Sequence, residues 1–156
     1  MDDIERALKE LGAKTGLGIG LDESGSCTLE LEDGRPLVLQ RRENDLDFVA
    51  ALGEVPEEVR SSVFERLLAA NFYWKGTLGA TLSWNDELGQ AVLIYPFPLA
   101  GASPAELESI LGKFLELQAA WKERLDGLVA AASEAGDAGT APDAPPAEGG
   151  DFVINP

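Results

Sequence analysis

Between Glu65 and Leu99 the sequence reads ERLLAANFYWKGTLGATLSWNDELGQAVLIYPFPL: an amphipathic helix end, a glycine break, then two strand-like runs joined by a turn. Within a few residues the apolar positions change from a period near 3.6 to a period of two, so a helix must pack beside a hairpin. Phe72, Tyr73, Trp74, Trp84, Tyr95 and Phe97 all fall here, in a chain with only 7% aromatic residues. That concentration marks a core or a contact surface, and nothing within it has the residue types of a catalytic centre.

The helix begins upstream at Pro56, in PEEVRSSVFERLLAANFYW, with Glu57 and Glu58 at the positive end of the helix dipole. Lys75 and Gly76 end it. Val59, Val63, Leu67, Ala70 and Trp74 make one apolar line, and Phe64, Leu68 and Phe72 widen it to a second. A helix apolar over that much of its girth needs two surfaces to bury against, and in so small a domain the second could be a sister subunit.

Elsewhere the chain reads as short alternating elements. Ile4, Leu8 and Leu11, with Ala7 beside them, place a short amphipathic helix over residues 2–12, with Gly12 just past its end. The glycine-rich TGLGIGLDESGS after it is open between a loose strand and an apolar loop. Cys27, Leu29 and Leu31 alternate with Thr28, Glu30 and Glu32, Asp33-Gly34 supplies a hairpin turn, and PLVLQRRE and DLDFVAAL complete a three-strand meander. LGATLSW and QAVLIYPFPL form a second hairpin around residues 85–89. Ser103, Pro104 and Glu106 open a last helix to about Ser133, whose apolar series Leu107, Leu111, Phe114, Trp121, Leu125 and Leu128 is interrupted by polar Gln118. The order is α-β-β-β-α-β-β-α, an α+β fold with helices packed against an antiparallel sheet.

Two regions emerge from composition: a folded domain over residues 1–135 and an acidic Ala/Pro/Gly-rich tail over 136–156, which by composition is expected to be disordered. Phe152, Val153 and Ile154 return apolar character to its end, as a tethered strand for a sheet edge or as a frayed terminus.

Charge and residue inventory exclude several functions. With 156 residues, 45% of them hydrophobic, the chain suits one domain with a real core. The 28 acidic and 12 basic residues give a formal net charge of -16, which repels phosphate backbones and disfavours nucleic acid. There is no histidine, and the single Cys27 can form neither an internal disulfide nor an ordinary zinc site. Carboxylate neighbours such as Glu30 with Glu32, Asp45 with Asp47, and Asp86 with Glu87 read as solvated charge. The glycines of residues 16–25 miss the dinucleotide-binding spacing, no P-loop occurs, and Asp22, Glu23 and Ser24 lack a calcium-loop pattern. The expectation is a protein without catalytic residues, metal or cofactor. An acidic N-terminus without a secretory signal, and no apolar run long enough for a membrane span, place it in the cytoplasm.

The run LLAANF, then GATLSW, an acidic turn, LIYPFPL and a helix holding LESILGKFLELQAAWKERL resembles the type III secretion chaperone family, the CesT-like class I effector chaperones. Leu67, Leu68, Asn71, Gly79, Ala80, Leu82, Pro98, Leu99, Phe114, Trp121 and Leu125 carry the resemblance. It spans roughly residues 1–130 and is strongest over 56–125. It implies a non-enzymatic homodimer that binds the extended N-terminal segment of a secreted effector and keeps it secretion-competent. By the same resemblance Phe64, Leu68, Phe72, Trp74, Leu82 and Trp84 are dimer-interface candidates. Ile4, Leu8, Leu11, Leu37 and Leu39 are client-binding candidates, with core packing the alternative for both sets. Asn71 matches the family's asparagine near the helix end, where a cap or turn role is expected. A secretion ATPase is a further candidate partner through the acidic tail. The alternative function is a regulatory or sensory domain of the YbjN-like kind, sharing this fold without serving secretion.

Overall fold

In the computed structural model, which describes residues 3–31 and 33–137, the period-two runs form five strands: β1 Ser26–Glu30, β2 Pro36–Arg41, β3 Asp45–Glu54, β4 Thr81–Asn85 and β5 Gln90–Pro98. They make one antiparallel sheet in the order β1-β2-β3-β5-β4. The second hairpin joins through its later strand, so β1 and β4 are the sheet edges. Three helices complete the expected order: α1 Asp3–Thr15, α2 Arg60–Asn71 and α3 Pro104–Asp137.

Register explains the core. Leu39 stands opposite Phe48 and Phe48 opposite Tyr95, so one face carries a continuous apolar row beneath α3. Phe48 is its centre, with ring centroids 5.8 Å from Phe97 and 5.6 Å from Phe114 of α3. On the opposite face Val38, Val49 and Ile94 align across β2, β3 and β5 and are only half-buried.

Buried Gln118 has a structural reason. The register of β3 slips between Ala51 and Gly53, where Gly53 has φ 152°, a bulge that frees strand carbonyls. Gln118 Nε2 donates to the Ala51 carbonyl at 3.3 Å, and Arg35 Nη1 donates to those of Ala51 (3.2 Å) and Leu52 (2.9 Å). Likewise the Trp121 indole donates to the Gly76 carbonyl at 2.9 Å, tying α3 to the loop after α2.

Element ends depart from the sequence reading at several places. α1 continues past Gly12 to Thr15, and Gly12 is needed within it because a Cβ there would lie 2.6 Å from the Leu17 carbonyl oxygen. Residues 16–25 form a loop, with Ile19 buried. The helix expected over 56–74 is interrupted at both ends: a 3-10 turn at Glu57–Val59, α2 itself, then a 3-10 turn at Phe72–Trp74 in which Tyr73 and Trp74 both have φ 52°. Ser103 caps α3 as expected, its Oγ accepting from the Glu106 N–H at 3.2 Å, but the helix runs on to Asp137. The rest of the tail, Phe152 to Ile154 included, lies outside the described residues.

Candidate functional site

The two sheet edges differ in what their backbones offer. On β4, Leu82 pairs opposite Leu93 of β5 with its own peptide groups turned outward. Asn71, the last residue of α2, covers them: its Oδ1 accepts from the Leu82 N–H and its Nδ2 donates to the Leu82 carbonyl, both at 2.9 Å. The carboxamide thus takes the place of a pairing strand, and this edge is closed at its middle. The side chain serves a strand, not the helix cap or turn expected for it.

Among the described residues, β1 is covered only at its start. There the Asp22 N–H donates to the Ser26 carbonyl at 2.8 Å and the Ser26 N–H to Asp22 Oδ1 at 3.0 Å. The Arg41 N–H donates to the Gly25 carbonyl (2.7 Å) and the Leu31 N–H to the Arg35 carbonyl (2.9 Å), which fixes the phase of the ladder. Antiparallel alternation then turns the N–H and C=O groups of Thr28 and Glu30 toward the open side. Beside this stretch lies a cavity of about 530 Å³ between the β1–β2 turn and α3, lined by Leu17, Leu31 and Leu115 together with Glu30, Asp33 and Gln118. A strand edge unpaired among the described residues and an apolar hollow adjoin, the two elements that strand addition uses for affinity and selectivity.

Two carboxylates beside this edge are held by hydrogen bonds. The Asp22 carboxyl lies below the ordinary carboxylate range because the Ser24 hydroxyl (2.6 Å), then the Ser26 N–H, donate to it. Asp33 is also held low, chiefly by Arg35, with which it forms an ion pair across the β1–β2 turn.

A second surface lies at the β4 side. Leu68 (69% exposed), Phe72 (62%), Tyr73 (72%) and Trp74 (55%) form an apolar ridge along the end of α2 and the turn after it. The Phe64 and Trp84 rings meet at 4.9 Å, Arg60 stacks over Trp84 at 4.8 Å, and a hollow of about 130 Å³ opens among Phe64, Leu68, Leu82 and Trp84.

Leu68, Phe72 and Trp74 are therefore available to a partner. Phe64 and Trp84 are half-buried against each other, and Leu82 is buried. The client candidates fare differently in this single chain. Ile4, Leu8 and Leu11 are buried as α1 packs along α3, where Lys14 and Glu108 also meet at 2.8 Å. Leu37 and Leu39 are core residues of β2, which is paired on both sides and so is no edge. Their apolar side chains are consumed by the fold's own need for a core. The structure adds the Thr28–Glu30 backbone, Leu17 and Leu115 to the candidates, while exposed Tyr73 belongs to the aromatic run already singled out in the sequence. Of the three additions, Leu17 carried a signal, as an apolar residue in a glycine-rich loop. Among the described residues no group of acidic or cysteine side chains could hold a metal ion, and no helix is long and apolar enough to cross a membrane.

The family model of the Tir chaperone protein (CesT) family matches residues 6–122. No curated protein matches the chain. Among solved structures, a chain of the ExsC–ExsE complex superposes with a TM-score of 0.69 at 20% identity, covering 78% of this chain and 92% of that one. The heterodimeric ExoU–SpcU complex from the type III secretion system of Pseudomonas aeruginosa matches at 0.58 and 23% identity, covering 81% and 97%. The HopA1–SchA chaperone–effector complex matches at 0.60 and 15% identity, covering 77% and 93%. Likeness at these identities establishes the shared fold.

Proposed function

The chain belongs to the Tir chaperone protein (CesT) family, and from that premise we propose that it is a type III secretion chaperone that holds the extended N-terminal segment of an effector in a secretion-competent state. The observation that carries the reading is the open β1 edge beside the Leu17, Leu31 and Leu115 hollow. An extended client segment adds as a sixth strand, its backbone bonding to Thr28 and Glu30 while alternate side chains enter the hollow. β4 is unsuited to this because Asn71 already occupies it at Leu82.

The exposed ridge of Leu68, Phe72, Tyr73 and Trp74 is the homodimer surface in this reading. It lies at the opposite sheet edge from the client, so two chains leave two β1 edges for one client to span. The work is binding without bond chemistry, in the bacterial cytoplasm, and both surfaces lie within residues 3–137.

Thr28→Pro tests it. The Thr28 N–H faces away from β2, so proline removes no ladder bond from this sheet but denies one to an added strand. The substituted chain is expected to keep its melting temperature within a few degrees while its affinity for the N-terminal segment of the effector that co-purifies with the unsubstituted chain falls about tenfold, the loss of one or two hydrogen bonds. Undiminished binding by the folded variant would remove β1 as the client edge. If the unmodified chain left that segment as protease-sensitive as it is alone, the chaperone reading itself would fail.

A further inference from the structure

A second groove runs between α2 and α3, on the side of α2 away from the Leu68 ridge. It encloses about 480 Å³ and is walled by Val63, Ala69, Leu128 and Ala132, with Arg66 and Arg124 at its rim. Its small side chains leave an apolar trough into which a larger one fits. Neither arginine forms an ion pair among the described residues; Arg124 only stacks over the Trp121 ring, 4.8 Å from its centroid. In a chain with 28 acidic and 12 basic residues, two guanidiniums without carboxylate partners beside one apolar trough are conspicuous.

The same chain carries a segment complementary to this groove. Ala135 lines the trough, and α3 ends at Asp137, so the chain leaves the helix at the groove's own end. Residues 138–156 contain no Lys or Arg, have acids at Asp143, Glu148 and Asp151, and return to large apolar side chains only at Phe152, Val153 and Ile154. Returning from Ala135 to Arg124 requires about 17 Å along a helix, and residues 138–150 can span up to about 43 Å when extended. The reach is ample.

We propose that the segment from Glu148 to Ile154 folds back into the α2–α3 groove of its own chain, with Asp151 and Glu148 against Arg124 and Arg66 and Phe152 in the alanine-walled trough. A short tether supplies an effective concentration on the order of millimolar, so even a contact of sub-millimolar intrinsic affinity is mostly closed. Docking covers an otherwise electropositive, apolar groove that any acidic extended peptide could enter, and so keeps that groove from competing with the β1 edge. The intramolecular contact stands whether or not the chain carries a client.

Hydrogen exchange on the full chain reads it out. The Phe152, Val153 and Ile154 amides are expected to exchange about tenfold more slowly than unstructured ones, the closed-to-open ratio that such a tether gives. Asp151→Arg, outside the folded domain, and Arg66→Glu with Arg124→Glu, both at the groove rim, should each return them to the unstructured rate. Combining Asp151→Arg with Arg124→Glu should restore protection. A photo-reactive benzoylphenylalanine in place of Phe152 should link to residues 63–70 or 128–135 of the same chain. Unstructured exchange rates in the unsubstituted chain, protection that survives Asp151→Arg, or links to the β1 edge or to a second copy would each overturn the proposal.

Discussion

Asn71 shows how one side chain decides which edge of a sheet is usable. Its carboxamide offers an acceptor and a donor, which match the C=O and N–H that an antiparallel neighbour would present to Leu82. Asn71→Ala leaves both Leu82 groups without their partner and should cost about 1–2 kcal/mol, checked by urea denaturation. Any extra tendency to self-associate through β4 would appear in the same variant as concentration-dependent sedimentation. Asp22 acts at the other edge. Its carboxyl accepts from Ser24 and Ser26, which lowers its pKa in the folded state, so the contribution is present above the unfolded pKa and fades as pH falls through the lower folded value. An NMR titration should therefore find the Asp22 carboxyl titrating below an ordinary aspartate, with the Ser24 and Ser26 amides tracking it. In Ser24→Ala, which removes the largest cause, that midpoint should move back up. Asp22 reaches partners within its own loop, whereas the role of Asn71 could not be read from the sequence. Asn71 and Leu82, like Gln118 and Ala51, are far apart along the chain and meet only once the sheet has formed.

Among the elements, α2 carries two unlike faces. Val63 and Leu67 go to the core, whereas Leu68 and the Phe72–Trp74 turn face outward with no described helix or strand over them. Monomeric proteins rarely leave four large neighbouring apolar side chains so exposed. The double substitution Leu68→Glu with Phe72→Glu should give a monomer at micromolar concentration by sedimentation, with an unchanged far-UV spectrum, because both residues lie outside the core. If the unsubstituted chain already sediments as a monomer, the ridge is not a dimer surface. The element order was legible because period-two runs and the punctuation of Asp33-Gly34, Pro56 and Ser103-Pro104 survive in any context. Strand order was not: alternation says which face is buried but not which neighbour a strand takes. β5 sits between β3 and β4, and β2 is enclosed by β1 and β3, so Leu37 and Leu39 became core while the unremarkable Thr28 gained an open backbone. The end of α2 was missed for a related reason. The apolar spacing continues through Phe72 and Trp74 after the backbone has left the helix, since those rings serve the ridge and not the helix interior.

Across the whole molecule the two surfaces are separated by the width of the sheet. Four inter-strand steps lie between β1 and β4, about 19 Å at the usual spacing, so client and dimer contacts should be separable by mutation. Thr28→Pro should leave a dimer that binds client poorly. The Leu68→Glu and Phe72→Glu variant should leave a monomer whose β1 edge still binds, but without the gain from one client engaging two edges. That gain is commonly about 10²–10⁴ in apparent affinity for linked sites. Calorimetry on the two variants, with the oligomeric state checked by light scattering, distinguishes them: one preformed dimer binds each client tightly in the unsubstituted protein, whereas separate chains bind it independently and more weakly in the monomer. The high acidity works in the same direction, because a net charge of -16 resists indiscriminate association between copies and leaves the apolar ridge as the surface that can overcome the repulsion. Raising the salt concentration should therefore strengthen the dimer, in contrast to an interface held by opposite charges. A dimer that weakened with salt, or a Thr28→Pro chain that dissociated into monomers, would mean that the two functions share one surface and that the sheet does not keep them apart.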